Sequence, residues 1–394
     1  MGKAARGKQS AKPSAFDTVS LVDELLARAA GAGASDIHFE PTSESMQVKF
    51  RLDGVLGVIE ELPSSVASSV IARLKVMAGL LTYRNDIPQE GRIETPAESR
   101  WPKTRVIDQR LAVFPTIYGQ RAALRLFYEE PALAQLDQLG FSAAILSELK
   151  QAAAASGGVL LLTGPAGSGK STTMAAILRH IVSQFPGKSV VSLEDPVERR
   201  VSGVTQVQIS SRGEMTFPVA LRSLLRQDPQ VLMIGEIRDR ETAAIAVEAG
   251  LSGHLLLSTM HSGTPAGALL RLLEMGVEAY QVTSSIWGVV NQRLLRRLCT
   301  HCRRPLGDGT FAAGSCEHCL HTGYSGRALV AQLVKLDGQL RQAVLDKTGL
   351  DDLEAILRSR GQVTLGHDAT GLVRRGVTTQ EELQAACGGE PATG

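Results

Sequence analysis

Aromatic residues make up only 4% of this 394-residue chain, and its formal net charge is just +2. A channel that stacks single-stranded bases needs aromatic platforms on a positive track, so nucleic acid is not an expected partner. No apolar run approaches the roughly 18 residues of a spanning helix. The opening stretch MGKAARGKQSAKPSAF is positive, but no apolar segment follows it. It therefore lacks the form of a secretory signal and reads as a flexible basic tail over 1–17. Cysteine is scarce too: of five, four fall into two close pairs, which suits a metal better than a disulfide scaffold. That usage points to a reducing, cytoplasmic setting. What the chain does have is 43% hydrophobic and 21% charged residues, the balance of a folded protein with about two or three cores.

Periodicity divides it. Thr18 to Ala32 reads as an amphipathic helix with Val22, Leu25, Leu26 and Ala29 on one side, and Gly33 ends it. Alternation then predicts strands at Asp36–Glu40 and Met46–Leu52, a turn at Asp53-Gly54 and a return strand to Ile59. A helix over Ser65–Met77 and strands over Thr104–Val113 and Gln120–Phe127 complete an α+β domain, placed at 18–132. From a helix beginning at Ala143, strands and helices alternate to about residue 290, which argues for a mostly parallel sheet covered by helices at 133–297. A cysteine-bearing element at 298–327 and a helical region at 328–394 follow.

The segment GPAGSGKS at 164–171 follows the apolar run Val159–Leu162 and precedes a helix. The loop runs Gly164, Pro165, Ala166, Gly167, Ser168 and Gly169, and its backbone N–H groups (every residue but Pro165 has one) can wrap phosphate oxygens. Lys170 reaches them as a point charge, and the Ser171 hydroxyl suits Mg²⁺. The helix presents its positive end to the same anion. Two acidic groups follow buried strands, where open α/β sheets place ligands. One is Glu236, after Val231–Ile234; the other is Glu194, Asp195 and Glu198, after Ser189–Leu193. Carboxylates beside Mg²⁺ and water are what phosphoryl transfer needs, although a strand-capping or solvated role fits the same letters.

These residues carry a resemblance. The blocks ASDIHFEP (34–41), RLDGVL (51–56), PQEGRI (88–93), GPAGSGKSTT (164–173), EDPVE (194–198), LLRQDPQVLMIGEIRDRETA (224–243) and GHLLLSTMHSGTPAGAL (253–269) resemble, in order, the ATPases of type II secretion and type IV pilus assembly. These belong to the wider type II/IV secretion traffic ATPase superfamily. The resemblance implies an α/β architecture: a RecA-like P-loop ATPase domain preceded by an α+β, PAS-like domain, with a zinc-binding lobe and a helical C-terminal region. Lys170, Ser171 and Thr172 resemble the residues that close on phosphate and metal. Glu236 resembles the glutamate that supports hydrolysis. Glu194, Asp195 and Glu198 resemble an "Asp box", and His254 and His261 a "His box". From strand position alone, His261 is the better nucleotide sensor, and His254 fits a core or hinge role equally well. Arg110 and Arg125 match arginines of the first domain that approach the nucleotide, with Arg121 close by; Arg238 and Arg240 suit a contact between subunits.

Cys299 and Cys302, with Cys316 and Cys319, form two CxxC units able to close a tetrahedral Zn²⁺ site. A redox dithiol has no use for two such pairs, while a mixed site using His301, His318 or His321 stays open. Within the resemblance, the tetracysteine element belongs to the assembly and secretion branch and not to pilus retraction motors. The spacer between the pairs is short for secretion members. No full docking domain precedes residue 18, as expected of a truncated or a short member. The resemblance implies ATP, Mg²⁺ and Zn²⁺, a cytoplasmic homohexamer held at the inner membrane through a platform protein, and ATP hydrolysis as its reaction. A retraction motor, a nucleic-acid translocase and a non-hydrolysing ring are the alternatives.

Overall fold

A computed structural model describes residues 17–93, 106–128, 135–209, 213–307, 309–359 and 364–387. The basic tail, the expected domain boundary at 132 and the start of the strand expected from Thr104 lie outside them. Contacts divide the chain into two units, meeting between Glu129 and Glu130.

In the first unit, α1 (Thr18–Gly31) begins at Asp17, whose side chain accepts from the Val19 N–H. This is the usual way a short acidic side chain satisfies a free helix-end donor. Strands β1 (Asp36–Pro41), β2 (Ser45–Leu52), β3 (Val55–Pro63), β4 (Gln89–Arg92), β5 (Val106–Thr116) and β6 (Gly119–Tyr128) make one antiparallel sheet in the order β3-β2-β1-β6-β5-β4. The hairpin expected at Asp53-Gly54 is β2–β3. Helix α2 (Ser64–Met77) packs on the sheet. Buried Val22, Leu25, Leu26, Val70 and Leu74 meet the alternate apolar residues Ile37, Phe39, Phe50, Leu111 and Leu124. Strand periodicity sends the charged residues between them to the other face. Lys75 breaks the helix pattern: fully buried, it donates from Nζ to the Arg84 carbonyl at 2.7 Å and to Gln120 Oε1 at 3.3 Å.

The second unit holds β7 (Gly158–Thr163), β8 (Val190–Glu194), β9 (Thr205–Gln208), β10 (Val231–Ile234), β11 (Leu255–Met260), β12 (Ile286–Leu298) and, past two two-residue strands β13 (Arg304–Pro305) and β14 (Phe311–Ala312), β15 (Tyr324–Val334). Their order is β15-β12-β7-β11-β10-β8-β9. Within this seven-stranded sheet all pairings are parallel except β12 with β15, and β13 pairs antiparallel with β14 in a separate ribbon. Near-continuous apolar strands such as Leu255–Leu257 are the mark of a sheet buried on both faces. Helices α3 (Ala143–Ala154), α4 (Lys170–Gln184), α5 (Phe217–Leu224), α6 (Arg240–Leu251), α7 (Pro265–Glu274) and α8 (Ala279–Ser285) supply the cover.

The boundaries expected at 297/298 and 327/328 fall inside β12 and β15. Those strands pair from Val289↔Val334 out to Leu298↔Tyr324, so the cysteine lobe is the elaborated end of a long hairpin at the edge of the main sheet. The backbone pairing runs across both boundaries, through Leu295↔Ala328 and Arg296↔Arg327 and then, past an irregularity, Leu298↔Tyr324. The C-terminal helices divide likewise. Leu340 and Val344 of α9 (Gly338–Leu345), with Leu353 and Leu357 of α10 (Leu350–Ser359), join the main core. Helices α11 (Leu365–Arg374) and α12 (Gln380–Cys387) pack on Leu295 and Val330 of the hairpin.

Candidate functional site

The loop after β7 is held open from behind. Gly164 has φ +142°, and a Cβ there would stand 2.5 Å from the Gln292 carbonyl and 2.7 Å from Ser168 Oγ. Only glycine fits that approach. Gly167, at φ +77°, has nothing within 4 Å of its Cβ position, so the outward side of the loop is clear. Gly169 (φ 91°) starts α4 without a side-chain cap, and the helix has no acidic residue in its first turn. Its first N–H groups are therefore available to an anion. Ser168 Oγ and Gln292 Oε1 are buried without a partner among the described residues. Such orphaned polar atoms fit a site completed by a bound ligand or its waters. Lys170 Nζ donates to the carbonyls of Gly164 at 2.8 Å and Pro165 at 3.0 Å. Burial holds its pKa below the usual lysine value; Glu236 and Glu198 oppose that shift, and Arg293 adds to it. Ser171 is exposed and Thr172 partly buried at the head of α4.

The acidic groups stand on the same edge of the sheet. Glu236, two residues past β10, accepts from Arg238 Nε at 2.6 Å and lies 3.3 Å from His261 Nε2. Thr259 Oγ1 donates to the Gly235 carbonyl at 2.6 Å, and the Gly235 N–H donates to the Leu193 carbonyl at 2.8 Å. The turn that carries Glu236 is thus tied to both neighbouring strands. Glu194 differs from expectation: it is the last residue of β8, inside the sheet and not in the turn after it. It is buried and accepts from Ser192 Oγ at 2.7 Å and Gln206 Nε2 at 3.0 Å. Asp195 and Glu198 are exposed in the turn beyond.

The two histidines part company. His261 directly follows β11, on the phosphate side. His254 precedes it, at the amino edge, where Leu255 pairs with Gly158 at the start of β7. Its Nδ1 lies 3.1 Å from Ser252 Oγ and 3.2 Å from the Ala249 carbonyl. The structure therefore does not bring His254 to the phosphate loop, because the strand's length puts it at the far edge, and its local contacts are those of a helix-to-strand joint. Arg110 and Arg125 lie on the first unit's sheet, each paired with an aspartate: Arg110 Nε with Asp108 at 3.3 Å, and Arg125 Nε with Asp36 at 3.0 Å.

Three site residues escaped sequence reasoning. Because β12 pairs with β7 up to Asn291↔Thr163 and then continues, Asn291, Gln292 and Arg293 arrive beside the loop. Gln292, fully buried, donates from Nε2 to the Ser168 carbonyl at 2.8 Å. Asn291 Nδ2 and Arg293 Nη2 each donate to the Gly263 carbonyl at 2.7 Å, anchoring the loop that carries His261. The available signal was the polar trio Asn-Gln-Arg in an otherwise apolar strand.

All four paired cysteines converge, their sulfurs lying within 4.8 Å of one another. Three of the separations are 3.7–3.8 Å. Tetrahedral Zn–S bonds of about 2.3 Å put sulfurs about 3.8 Å apart, so the donor set fits that metal. The Gly323 N–H donates to Cys319 Sγ at 3.2 Å, a contact that favours thiolate. His301 and His318 lie ring against ring at 4.0 Å and are not among the converging groups.

A strand, glycine-rich loop and helix at the carboxyl edge of a parallel sheet is how phosphate-loop nucleotide-binding proteins are built, and this RecA-like sheet sets its carboxylates on that edge. The model for type II/IV secretion system proteins matches residues 14–385, and the chain belongs to that family. It is 39% identical to the type II secretion system protein HxcR of Pseudomonas aeruginosa, over 93% of this chain and 76% of that one. It is 36% identical to the type IV pilus assembly ATPase PilB of Thermus thermophilus, over 93% of this chain but only 42% of that protein. Among solved structures, the fold is shared with the Legionella pneumophila ATPase DotB (TM-score 0.68, 20% identity, 96% of this chain and 98% of that one). It is shared also with the pilus retraction motor PilT with bound ADP (TM-score 0.60, 22% identity, 92% and 96%).

Replacing Gln292 with Ala removes the buried donor that braces the phosphate loop. The expected result is a loss of about 1–3 kcal/mol in unfolding free energy, with weaker binding of a fluorescent ATP analogue. Unchanged melting and unchanged affinity together would refute the bracing role.

Proposed function

We propose that this chain is the ATP-hydrolysing subunit of a motor that powers type II secretion or type IV pilus assembly. The observation that carries the reading is Glu236, fixed between Arg238 and His261 on the edge of the sheet that ends in the phosphate loop. The loop amides and Lys170 bind the β- and γ-phosphates. Ser171 and Thr172 face metal and phosphate, and Mg²⁺ supplies charge neutralisation there. Glu236 holds the attacking water, while Glu194, Asp195 and Glu198 shape the acidic surroundings. His261 reports the state of the nucleotide to Glu236. Arg110 and Arg125 act on phosphate from the first unit, as the family resemblance implies.

The four cysteines hold a structural Zn²⁺. The motor works as a homohexamer in the cytoplasm and passes its motion to an inner-membrane platform protein. No helix among the described residues is long and apolar enough to cross a membrane.

Exchanging Glu236 for Gln keeps the side chain's size and one acceptor oxygen and removes the base. ATP hydrolysis by assembled protein is expected to fall about 100-fold, with nucleotide affinity retained. Hydrolysis at the wild-type rate would dismiss Glu236 as the water-holding group.

A further inference from the structure

A line of charge crosses the first unit's sheet. Arg51 of β2 stands opposite Asp36 of β1, Asp36 opposite Arg125 of β6, Arg125 opposite Arg110 of β5, and Arg110 opposite Arg92 of β4. Directly opposed residues of an antiparallel ladder share a face. The row therefore lies on one face, with Ile37, Leu111 and Leu124 pointing to the other. Three adjacent strands set arginine against arginine, an arrangement that is unfavourable by itself.

Two carboxylates offset it, each gripping two arginines through Nε. Asp36 takes Arg125 at 3.0 Å on Oδ1 and Arg51 at 3.3 Å on Oδ2. Asp108, two residues before Arg110, takes Arg92 at 2.5 Å on Oδ1 and Arg110 at 3.3 Å on Oδ2. The aspartates are well covered, at 12% and 18% side-chain exposure, while Arg92, Arg110 and Arg125 remain 67%, 51% and 66% exposed. The Arg110 guanidinium also lies over the Phe127 ring, 4.8 Å from its centre. The stems are thus fixed and the charged ends presented. Four arginines against two carboxylates leave a positive excess that a polyphosphate would neutralise. Pairs this exposed contribute little to stability, so stability does not explain the row. Fixing cationic donors before an anion arrives does, because the ordering cost is then not met at the moment of reaction.

We propose that Asp36 and Asp108 are positioning residues for ATP hydrolysis, each splinting a pair of arginines so that Arg125 and Arg110 meet the phosphates already aligned. This rests on the reading that those two arginines act on phosphate. The test is a double-mutant cycle on ATP turnover by the assembled full chain, using D36N, R125A and D36N/R125A. Asp36→Asn is expected to lower kcat about tenfold, the worth of a hydrogen bond to a charged group, with KM and Tm little changed. The double variant should be no slower than R125A alone. The same cycle with D108N and R110A tests the second splint independently and covers the case in which D36N folds poorly. Effects that multiply in both double variants would overturn the proposal while leaving the arginines' own role intact. Wild-type turnover in both R125A and R110A would instead remove the phosphate reading itself.

Discussion

Lys170→Ala is expected to abolish measurable ATP hydrolysis, a fall of about 10³-fold, without unfolding the protein. Among the described residues, Lys170 Nζ donates only to the carbonyls of Gly164 and Pro165, within its own loop. Its removal breaks no hydrogen bond between elements among the described residues, so melting should barely move. The chemical loss is larger, because the ammonium is held in a desolvated place. Burial lowers its pKa, which is the sign of a charge removed from water and not matched by a contacting carboxylate. A polyphosphate offers stronger acceptors than the two carbonyls, and charge–charge attraction grows as water is excluded. Removing one preorganised donor from a developing oxyanion costs about 10²–10³-fold in other enzymes, and this donor carries a full charge. The measurement is phosphate release under assembling conditions, alongside thermal melting. Turnover within a few fold of wild type would sink the hydrolysis mechanism.

Lys170 was readable because a phosphate loop is a local device: its letters, the strand before it and the helix after it lie within one short stretch. The same holds for the hairpin at Asp53-Gly54, the helix face of Val22, Leu25, Leu26 and Ala29, and the cysteine pairs. Contacts set by sheet order were not readable. Gln292 is far from Ser168 in sequence, and they meet only because β12 runs parallel to β7 and outlasts it. The row of Arg51, Asp36, Arg125, Arg110 and Arg92 is invisible until four cross-strand registers are known. Lys75 shows the converse limit. Composition places lysine outside, yet carbonyl and amide acceptors from Arg84, Asn85 and Gln120 hold it at zero exposure. Placing His254 with His261 in one motif hid the fact that a six-residue strand separates the two edges of the sheet.

Loss of the metal should have the largest effect on structure. Among the described residues between Cys299 and Gly323 the lobe has only the two-residue strands β13 and β14 and one short helical turn around Glu317–Cys319. None of its apolar side chains apart from the cysteines is buried: among the described residues of the lobe the buried positions are Cys299, Cys319 and Gly323. Four thiolates brought this close without a cation would repel one another, whereas Zn²⁺ binding in small domains contributes about 10–16 kcal/mol to folding. The purified protein is therefore expected to carry about one zinc per chain, and C316S/C319S should carry none. Hydrogen exchange should then rise across residues 299–323. It should also spread into the outer ends of β12 and β15, since Leu298 pairs with Tyr324 and the Cys299 N–H donates to the Gly323 carbonyl at 2.9 Å. β7 and β11, held in the centre of the sheet, should stay protected. Hydrolysis should suffer through Asn291, Gln292 and Arg293, which sit on the inner part of the same β12 and brace the phosphate and His261 loops. A zinc-free wild-type protein with the lobe still protected would refute the metal's structural role. Full lobe opening with β12 unmoved would restrict that role to the lobe itself.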